Sequence, residues 1–315
     1  MPYVMDSELA ARLAQLQPEL ARFPAFQPGD VLSWRDKSNA FYALLNDHFP
    51  EATGIETREF FIPMGNEKRL ARWYQNAGEP SRGAVLFVHG GGGVSADIAA
   101  YHKIVANYVA QSGVSFLALD YHLAPEIAGD SQAEQIISGL AWLQQNSAQL
   151  SIEPDRIVLM GDSGGGGIAA SAAILARDRH IALAGQILVY PMLDDRTTDA
   201  TAEISPFLTI TASEIQTAWR ARIPDGADDG QLNRIIPARL DDFTGLAPTY
   251  IDVGELDLFC AENLAWAGNL AAAGVPVEFH LYPGVNHGFE LLAPHSAIAQ
   301  QAMRLRCSAI RRLTA

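Results

Sequence analysis

Cysteine is scarce in this sequence, and long apolar runs are absent from it. Cys260 and Cys307 are the two cysteines among 315 residues, too few for a disulfide framework in a chain of this length. We therefore expect a reduced compartment and two small, buried or half-buried thiols. No run reaches the about 18 apolar residues of a membrane-spanning helix, and residues 1–8 lack the basic and apolar regions of a secretory signal. These absences predict a cytoplasmic protein.

Basic residues are also few. The sequence has 22 lysines and arginines against 36 aspartates and glutamates, which gives a formal net charge of -14 at pH 7. Nucleic acids and anionic membranes both attract basic surfaces. The charge therefore predicts no nucleic-acid partner and no membrane partner. Apolar residues make up 49% of the chain, as expected for a globular enzyme with a large core.

The first part of the chain has a helical pattern that then gives way to strands. Residues 1–50 carry apolar side chains every three or four positions, beginning with Leu9, Leu13, Leu16 and Leu20. Residues 57–63 and 69–75 have strand character, and Gly65-Asn66 between them is a plausible hairpin turn.

From residue 84 onward, short apolar runs alternate with helical segments. The predicted strands are 84–89, 114–120, 156–161, 184–190, 248–253 and 276–282. The predicted helices are 97–111, 132–145, 163–176, 260–273 and 296–313. Continuous apolar strands separated by helices are typical of an α/β fold with a mostly parallel sheet covered on both faces.

Residues 194–246 interrupt this alternation. They hold polar and proline residues around one predicted helix near 212–222, and they are too long for a simple connection in a compact domain. We predict that residues 1–50 form an N-terminal helical cap segment. Residues 51–315 then form the catalytic domain, of which 194–246 contribute to the cap.

The strongest chemical signal is the run Gly161-Asp162-Ser163-Gly164-Gly165. It has the form G-x-S-x-G, follows a predicted buried strand and opens a helix, which is the setting of a nucleophile elbow. A serine on so tight a turn projects its hydroxyl above the sheet, and the strained backbone needs small neighbours. On the motif alone, a glycine-rich turn around a phosphate is an equally good interpretation.

A second glycine run, His89-Gly90-Gly91-Gly92-Gly93, directly follows the strand at 84–89. Glycines can present backbone N–H groups without side chains in the way, and such donors stabilise the oxyanion of acyl transfer by about 3–4 kcal/mol each. We predict Gly91, Gly92 and Gly164 as the three donors of an oxyanion hole. Taken alone, the run is also compatible with a flexible loop.

A serine nucleophile needs a neighbouring base. In folds of this kind the acid and then the histidine follow the serine, on loops after later strands. His287 lies in the loop directly after the strand at 276–282, so we predict it as the base. His280 falls within that strand and His295 lies just before the last helix, which makes both weaker candidates.

The acid is predicted in the loop after the strand at 248–253. Asp257 is the first choice and Glu255 the second; the alternative interpretation of Glu255 is an orienting or structural carboxylate. Asp252 falls inside the strand and is expected to face away. Asp162, next to Ser163, is expected to brace the loop through hydrogen bonds.

These motifs together resemble those of the hormone-sensitive-lipase branch of the α/β-hydrolases, the bacterial esterases called family IV. The resemblance covers about residues 84–295 and includes Asp120-Tyr121-His122-Leu123-Ala124-Pro125-Glu126 and Tyr190-Pro191. It implies an eight-stranded sheet, a cap built partly from the N-terminal helices, and a homodimer. It also implies hydrolysis of short-acyl esters without a cofactor or metal ion, and it makes His89 an anchor of its loop.

Three positions depart from the family pattern. Gly164 stands where alanine is usual, which preserves the N–H donor. Gly93 stands where a bulky aromatic residue is common, and His122 where arginine is usual. The last two changes leave the pocket shape and the anchoring of the loop open.

The predicted function is hydrolysis of a small-molecule ester by Ser163, His287 and Asp257. A lactone or amide hydrolase would use the same residues, and the motifs are also compatible with an interfacial lipase or a ligand-binding protein on this fold. Candidate pocket residues are Trp34, Phe41, Tyr42, Phe207 and Trp219, although aromatic residues at such positions more often form the core of a cap.

Overall fold

A computed structural model describes residues 3–78 and 81–315 of the chain. Its strands are β1 (Ile55–Met64), β2 (Glu67–Asn76), β3 (Ala84–Val88), β4 (Ser115–Leu119), β5 (Ile157–Asp162), β6 (Gly185–Val189), β7 (Thr249–Gly254) and β8 (Val277–Tyr282). They form one eight-stranded sheet in the order β1-β2-β4-β3-β5-β6-β7-β8. β1 and β2 are an antiparallel hairpin, β2 also pairs antiparallel with β4, and the remaining pairs are parallel. The predicted mostly parallel, eight-stranded α/β sheet is confirmed.

The helices lie close to their predicted positions. They are α1 (Ser7–Leu20), α2 (Val31–His48), α3 (His102–Ser112), α4 (Ser131–Gln145), α5 (Ser147–Leu150), α6 (Ser163–Asp178), α7 (Ala212–Arg222), α8 (Asp229–Ile235), α9 (Cys260–Ala272), α10 (Phe289–Leu292) and α11 (Ala297–Leu313). α3 begins at His102 rather than at residue 97. The prediction missed α8, although Asp228 and Gln231 form a capping box at its start, a pattern that is visible in sequence. Among the described residues, no helix is long and apolar enough to cross a membrane.

Each face of the sheet carries its own apolar core. Successive residues of a strand point to opposite faces, so Leu86 and Val88 of β3 belong to one cluster while Val85 and Phe87 belong to the other. The first cluster includes side chains of α4, α6 and α9, and the second includes side chains of α3 and α11. Burial on both faces explains why the central strands consist of unbroken apolar runs.

The N-terminal helices and the 194–246 insert meet near the carboxyl ends of the strands. Trp34 of α2 packs in one buried cluster with Ile215, Ala218 and Trp219 of α7. Two polar contacts tie the same segments together: Lys37 pairs with Glu214 at 2.5 Å, and the Gly29 N–H donates to Thr217 Oγ1 at 2.9 Å. We propose that these segments act as one cap over the sheet, in keeping with the predicted division at residues 1–50, 51–315 and 194–246.

Candidate active site

Ser163 lies at the junction between β5 and α6. Its φ is +52°, a left-handed conformation that non-glycine residues adopt rarely and at some energetic cost. The turn is so tight that a Cβ on Gly161 would lie 2.4 Å from the Gly165 carbonyl oxygen. The glycines at these positions therefore permit the sharp turn from strand to helix, which places the Ser163 side chain in the wall of a cavity.

A continuous chain of hydrogen bonds joins Ser163, His287 and Asp257. His287 Nε2 lies 2.9 Å from Ser163 Oγ, and His287 Nδ1 lies 2.8 Å from Asp257 Oδ2. Asp257 is fully buried, and its other oxygen accepts the Phe259 N–H at 2.9 Å. The loops after β7 and β8 supply the acid and the imidazole. These loops are adjacent because their strands are neighbours in the parallel sheet.

The hydrogen-bond partners of His287 determine which of its two ring nitrogens carries the proton. Because Asp257 can only accept when ionised, Nδ1 carries the proton that faces it, and Nε2 is left to accept from the Ser163 hydroxyl. Burial lowers the pKa of His287, but the charge of Asp257 and its hydrogen bond raise the pKa more, so the net pKa is above the ordinary 6.5. Such an imidazole can take a proton from the serine and return it to a leaving group.

The glycine loop after β3 presents its N–H groups on one side. The Gly90 carbonyl lies 2.9 Å from His89 Nδ1, and the Gly91 carbonyl accepts the N–H groups of Val94 and Ser95. In a trans peptide the N–H points opposite to the carbonyl, so the N–H groups of Gly91 and Gly92 point away from these partners. Neither N–H donates a hydrogen bond within the described part of the chain. Both glycines line the same cavity as Ser163.

Buried side chains hold the glycine loop in place. The His89 ring stacks on Tyr121 at a centroid distance of 4.3 Å, and the Tyr121 hydroxyl donates to the His89 carbonyl at 2.8 Å. Burial lowers the pKa of His89, which favours a neutral ring whose Nδ1 donates to Gly90. Arg35 of α2 also binds the carbonyls of Val94 and Ala124, at 2.7 and 2.9 Å. The loop is therefore fixed both by the sheet and by an N-terminal helix.

Gly164, the residue after Ser163, lies against the glycine loop. A Cβ at Gly164 would meet the backbone of Gly92 at 2.4–2.6 Å. The N–H of Gly164 lies in the first turn of α6, where helical N–H groups have no partner within the helix. The three N–H groups of Gly91, Gly92 and Gly164 thus belong to two backbone segments that contact each other beside Ser163.

We expect Gly164→Ala to reduce kcat/KM for a short p-nitrophenyl ester by about 10-fold or more, because the methyl group must displace a donor loop. Gly268→Ala in α9 is the matched control, since nothing lies within 4 Å of a Cβ there. We expect it to leave the kinetics unchanged. Equal rates for Gly164→Ala and the wild-type protein would contradict this interpretation of the close contact.

Neighbouring side chains fill the space beside Gly93. A Cβ at Gly93 would lie 3.0 Å from Gln132 Oε1 and 3.1 Å from Arg222 Cδ, so the bulky residue common at this position in the family does not fit without rearrangement. The side chain of Gln132 donates to the Gly93 carbonyl at 2.7 Å. His122, the other departure, contacts Glu67 and Gln135 and is not among the residues that line the cavity of Ser163.

A cavity of about 610 Å³ opens beside Ser163 and His287. Four of the five predicted pocket residues line it: Trp34, Phe41, Tyr42 and Phe207. Further apolar lining comes from α1, α7 and α10, with Leu13, Leu20, Ile215, Leu291 and Leu292. Helices from residues 1–50 and from the 194–246 insert therefore form much of its apolar wall.

Trp219 is the predicted pocket residue that the structure places elsewhere. Its side chain is 3% exposed, lies in the buried cluster between α2 and α7, and has the Arg222 guanidinium 4.6 Å above its ring. Ile215, one helical turn earlier, lines the cavity together with its neighbour Glu214. The prediction for Trp219 was wrong because it was based on the aromatic side chain alone, and the sequence does not show which face of α7 lines the cavity.

Asp252, Glu255, His280 and Asp162 have partners outside the triad. Asp252 forms a buried ion pair with Arg306, and Glu255 accepts the Gly284 N–H at 3.0 Å. The ring of His280 bonds to Glu278, on the same strand. Asp162 accepts a hydrogen bond from Tyr101 at 2.6 Å.

Among the described residues, no group of three or more His, Cys, Asp or Glu side chains is arranged to hold a metal ion.

The cavity wall also contains a charged pair that was not predicted from the sequence. Lys37 of α2 and Glu214 of α7 both line the cavity and bond to each other. Their separation of 177 residues leaves no local pattern that could pair them. Glu214 could be predicted only as the N3 member of the capping box that begins at Thr211.

Known proteins share both the sequence and the fold of this chain. Residues 85–291 match a family described as alpha/beta hydrolase fold. Carboxylesterase NlhH of Mycobacterium tuberculosis is 30% identical over 226 residues, which cover 68% of this chain and 70% of that protein. Lipase 2 of Moraxella sp. is 29% identical over 247 residues, covering 69% of this chain but only 57% of that lipase.

Two solved structures extend the likeness to nearly the whole chain. A structure described as a bacterial heroin esterase superposes with a TM-score of 0.86 at 26% identity, over 99% of this chain and 98% of that one. A hyperthermophilic esterase from Pyrobaculum calidifontis superposes with a TM-score of 0.85 at 25% identity, over 100% of both chains. With the family match and the ordered motifs, the chain belongs to the α/β-hydrolases, in their hormone-sensitive-lipase-like branch.

Proposed function

We propose that this chain is a serine carboxylesterase that hydrolyses short-acyl carboxylic esters through an acyl-enzyme. The observation that carries the proposal is the hydrogen-bonded chain from Asp257 through His287 to Ser163, which ends in an apolar cavity beside the glycine loop. The names of the relatives, carboxylesterase and lipase among them, add support. A carbonyl carbon next to Ser163 Oγ would have its oxygen close to the donors of the loop.

In the first half of the proposed reaction, His287 Nε2 removes the hydroxyl proton of Ser163 as Oγ attacks the ester carbonyl carbon. The carbonyl oxygen becomes an oxyanion that accepts the N–H groups of Gly91, Gly92 and Gly164. The C–O bond to the alcohol then breaks, and His287 returns its proton to the leaving oxygen. The acyl group remains on Ser163.

In the second half, water takes the place of the alcohol. His287 accepts a proton from the water, whose oxygen attacks the acyl carbon, and then returns that proton to Ser163 as the acid leaves. Asp257 keeps the imidazole oriented and stabilises its cation in both halves. The mainly apolar cavity wall suits an acyl chain better than a charged group.

A pre-steady-state assay with a chromogenic ester tests the proposal. p-Nitrophenyl butyrate should release a burst of about one p-nitrophenol per active site when deacylation is the slower half-reaction. A series of p-nitrophenyl esters from two to sixteen acyl carbons should show the highest kcat/KM among the short chains. No hydrolysis of any ester would overturn the proposal, and preference for a lactone or amide would favour one of those substrate classes instead.

The pH dependence should report the environment of His287. Because Asp257 raises the pKa of His287 above 6.5 and only the neutral ring can act as base, kcat/KM should fall as the pH drops through a midpoint above 6.5. Asp257→Asn removes the charge, so its midpoint should move to lower pH as its activity falls. Glu255→Gln in the same loop is the control. An Asp257→Asn midpoint equal to that of the wild type would contradict the electrostatic coupling.

Assembly and location complete the proposal. The family resemblance leads us to propose a homodimer, which light scattering on purified protein tests directly, and a small-molecule ester as the partner. Cys260 and Cys307 are both free thiols, half-buried and buried respectively, and burial raises the pKa of each to about 11. Unreactive, unpaired thiols suit the reducing cytoplasm, where we propose that the protein acts.

A further inference from the structure

A hydrogen-bonded chain of three side chains links the cap to the residue before the nucleophile. The Tyr42 hydroxyl of α2 lies 2.9 Å from the Tyr101 hydroxyl, which donates to Asp162 Oδ2 at 2.6 Å. All three residues line the cavity of Ser163, and Tyr101 and Asp162 are nearly completely buried. The proposed mechanism uses none of them.

The Asp162 carboxyl is only half satisfied. Oδ2 accepts from Tyr101, but Oδ1 is buried and has no hydrogen-bond partner among the described residues. Oδ2 and the Tyr101 hydroxyl pack closely against Gly90, where an added Cβ would lie 2.7 Å from Oδ2 and 2.5 Å from the hydroxyl. A buried carboxyl with a bare oxygen is destabilising, and a native protein that keeps such a group often uses it in its function.

The surroundings of Asp162 contain one group that would benefit from a negative charge. Asp162 adjoins Ser163, which bonds to His287, so the carboxyl lies in the vicinity of the imidazole. The charged and titratable groups around it include His287, Glu290 of α10, and the tyrosines Tyr42, Tyr101, Tyr121 and Tyr190. Glu290 is paired with Arg306 and bonded by Tyr190. His287, when protonated, is the cation that the charge of Asp162 can favour, in addition to Asp257 on its Nδ1 side.

We propose that Asp162 is a positioning residue that favours cationic His287 through its charge, and that Tyr101 and Tyr42 hold it in place. The proposal rests on the proposed function, in which His287 becomes cationic twice in each cycle. Burial raises the pKa of Asp162 to about 7, so its charge and that of His287 change over the same pH range as a coupled pair. Through Tyr42, the N-terminal cap helix reaches the same carboxyl.

The test compares Asp162→Asn with wild-type protein in the pH dependence of kcat/KM for p-nitrophenyl butyrate. Without the negative charge the pKa of His287 should fall, so the acid midpoint should move to lower pH by about 0.5 or more. Tyr101→Phe should move the midpoint in the same direction, because loss of its hydroxyl favours the uncharged form of Asp162. Tyr74→Phe removes a buried hydroxyl that bonds to His102 and should not move it.

A second measurement separates this proposal from the activity itself. The His287 Nδ1 proton facing Asp257 can be followed by NMR during a pH titration, in a Ser163→Ala background that needs no turnover. The double variant Ser163→Ala, Asp162→Asn should titrate at lower pH than Ser163→Ala alone. Coincident titrations and coincident kinetic midpoints would overturn the proposal. Should Asp162→Asn fail to fold, the same comparisons with Tyr101→Phe decide the question.

Discussion

Replacing Ser163 with alanine should reduce kcat for p-nitrophenyl butyrate by a factor on the order of 10⁴ or more, the scale of losses when a member of a catalytic triad is removed. The hydroxyl is the nucleophile in the proposed reaction, and the hydrogen bond to His287 at 2.9 Å would be lost with it. The variant should fold normally, because alanine keeps the small size that the β5–α6 turn requires. No burst of p-nitrophenol should remain.

The residual rate of Ser163→Ala should be measurable above the uncatalysed reaction. Binding in the cavity and the N–H donors of Gly91, Gly92 and Gly164 do not depend on the hydroxyl, and such elements alone accelerate acyl transfer by about 10³–10⁴-fold. Substrate affinity should change little, since the apolar cavity wall is intact. The loss should therefore appear in kcat rather than in KM.

Ser171→Ala provides the matched control for this experiment. Ser171 lies two turns further along α6 and is buried, whereas Ser163 is half-buried. Among the described residues, the Ser171 hydroxyl makes one long hydrogen bond, of 3.4 Å, to the Ile235 carbonyl. We expect near-wild-type kinetics and a similar thermal midpoint. A Ser163→Ala variant that hydrolyses the ester at the rate of Ser171→Ala would rule out Ser163 as the nucleophile.

The sheet and the order of the motifs were predictable because they depend on local patterns. Alternation within β3 and the unbroken apolar runs of the central strands follow from burial on both faces. The loops with Ser163, Asp257 and His287 each follow a strand, and parallel strands bring their carboxyl ends to one edge. That geometry places residues far apart in sequence beside one another.

The parts that were not predicted depend on how separate segments meet. Whether Trp219 or Ile215 of α7 faces the cavity depends on how α7 packs against α2, which the sequence of either helix alone does not show. The same holds for the pairing of Lys37 with Glu214. Tyr101 and Asp162 are likewise 61 residues apart, and only the fold reveals that they bond.

Arg306 should be among the residues that matter most for stability. Its guanidinium is fully buried behind the active site, where it bonds to both oxygens of Asp252 at 2.7 and 3.0 Å and to Glu290 at 2.7 Å. Glu290 also accepts the Tyr190 hydroxyl at 2.6 Å, and the Tyr190 ring lies 4.5 Å from that of His287. The last helix is thereby connected to the imidazole.

We expect Arg306→Met to lower the free energy of unfolding by about 3–5 kcal/mol, because it leaves two buried carboxyl groups without their cation. Urea denaturation followed by circular dichroism measures the change. Arg312→Met is the control on the same helix, since Arg312 is half exposed and pairs with Glu278 at the surface. Arg312→Met should lower the free energy of unfolding by less than about 1 kcal/mol. Equal losses in the two variants would show that the burial of the Arg306 ion pairs is not what makes them stabilising.

The destabilisation should also depend on pH, in a direction set by Asp252. Burial raises the pKa of Asp252 even with Arg306 present, and loss of the guanidinium must raise it further. Between the ordinary pKa of an aspartate and this higher value, the folded variant binds a proton that the unfolded chain has released, so stability falls as the pH rises. The deficit of Arg306→Met should therefore be larger at pH 8 than at pH 5. An equal deficit at the two pH values would show that Arg306 acts through packing rather than through its charge.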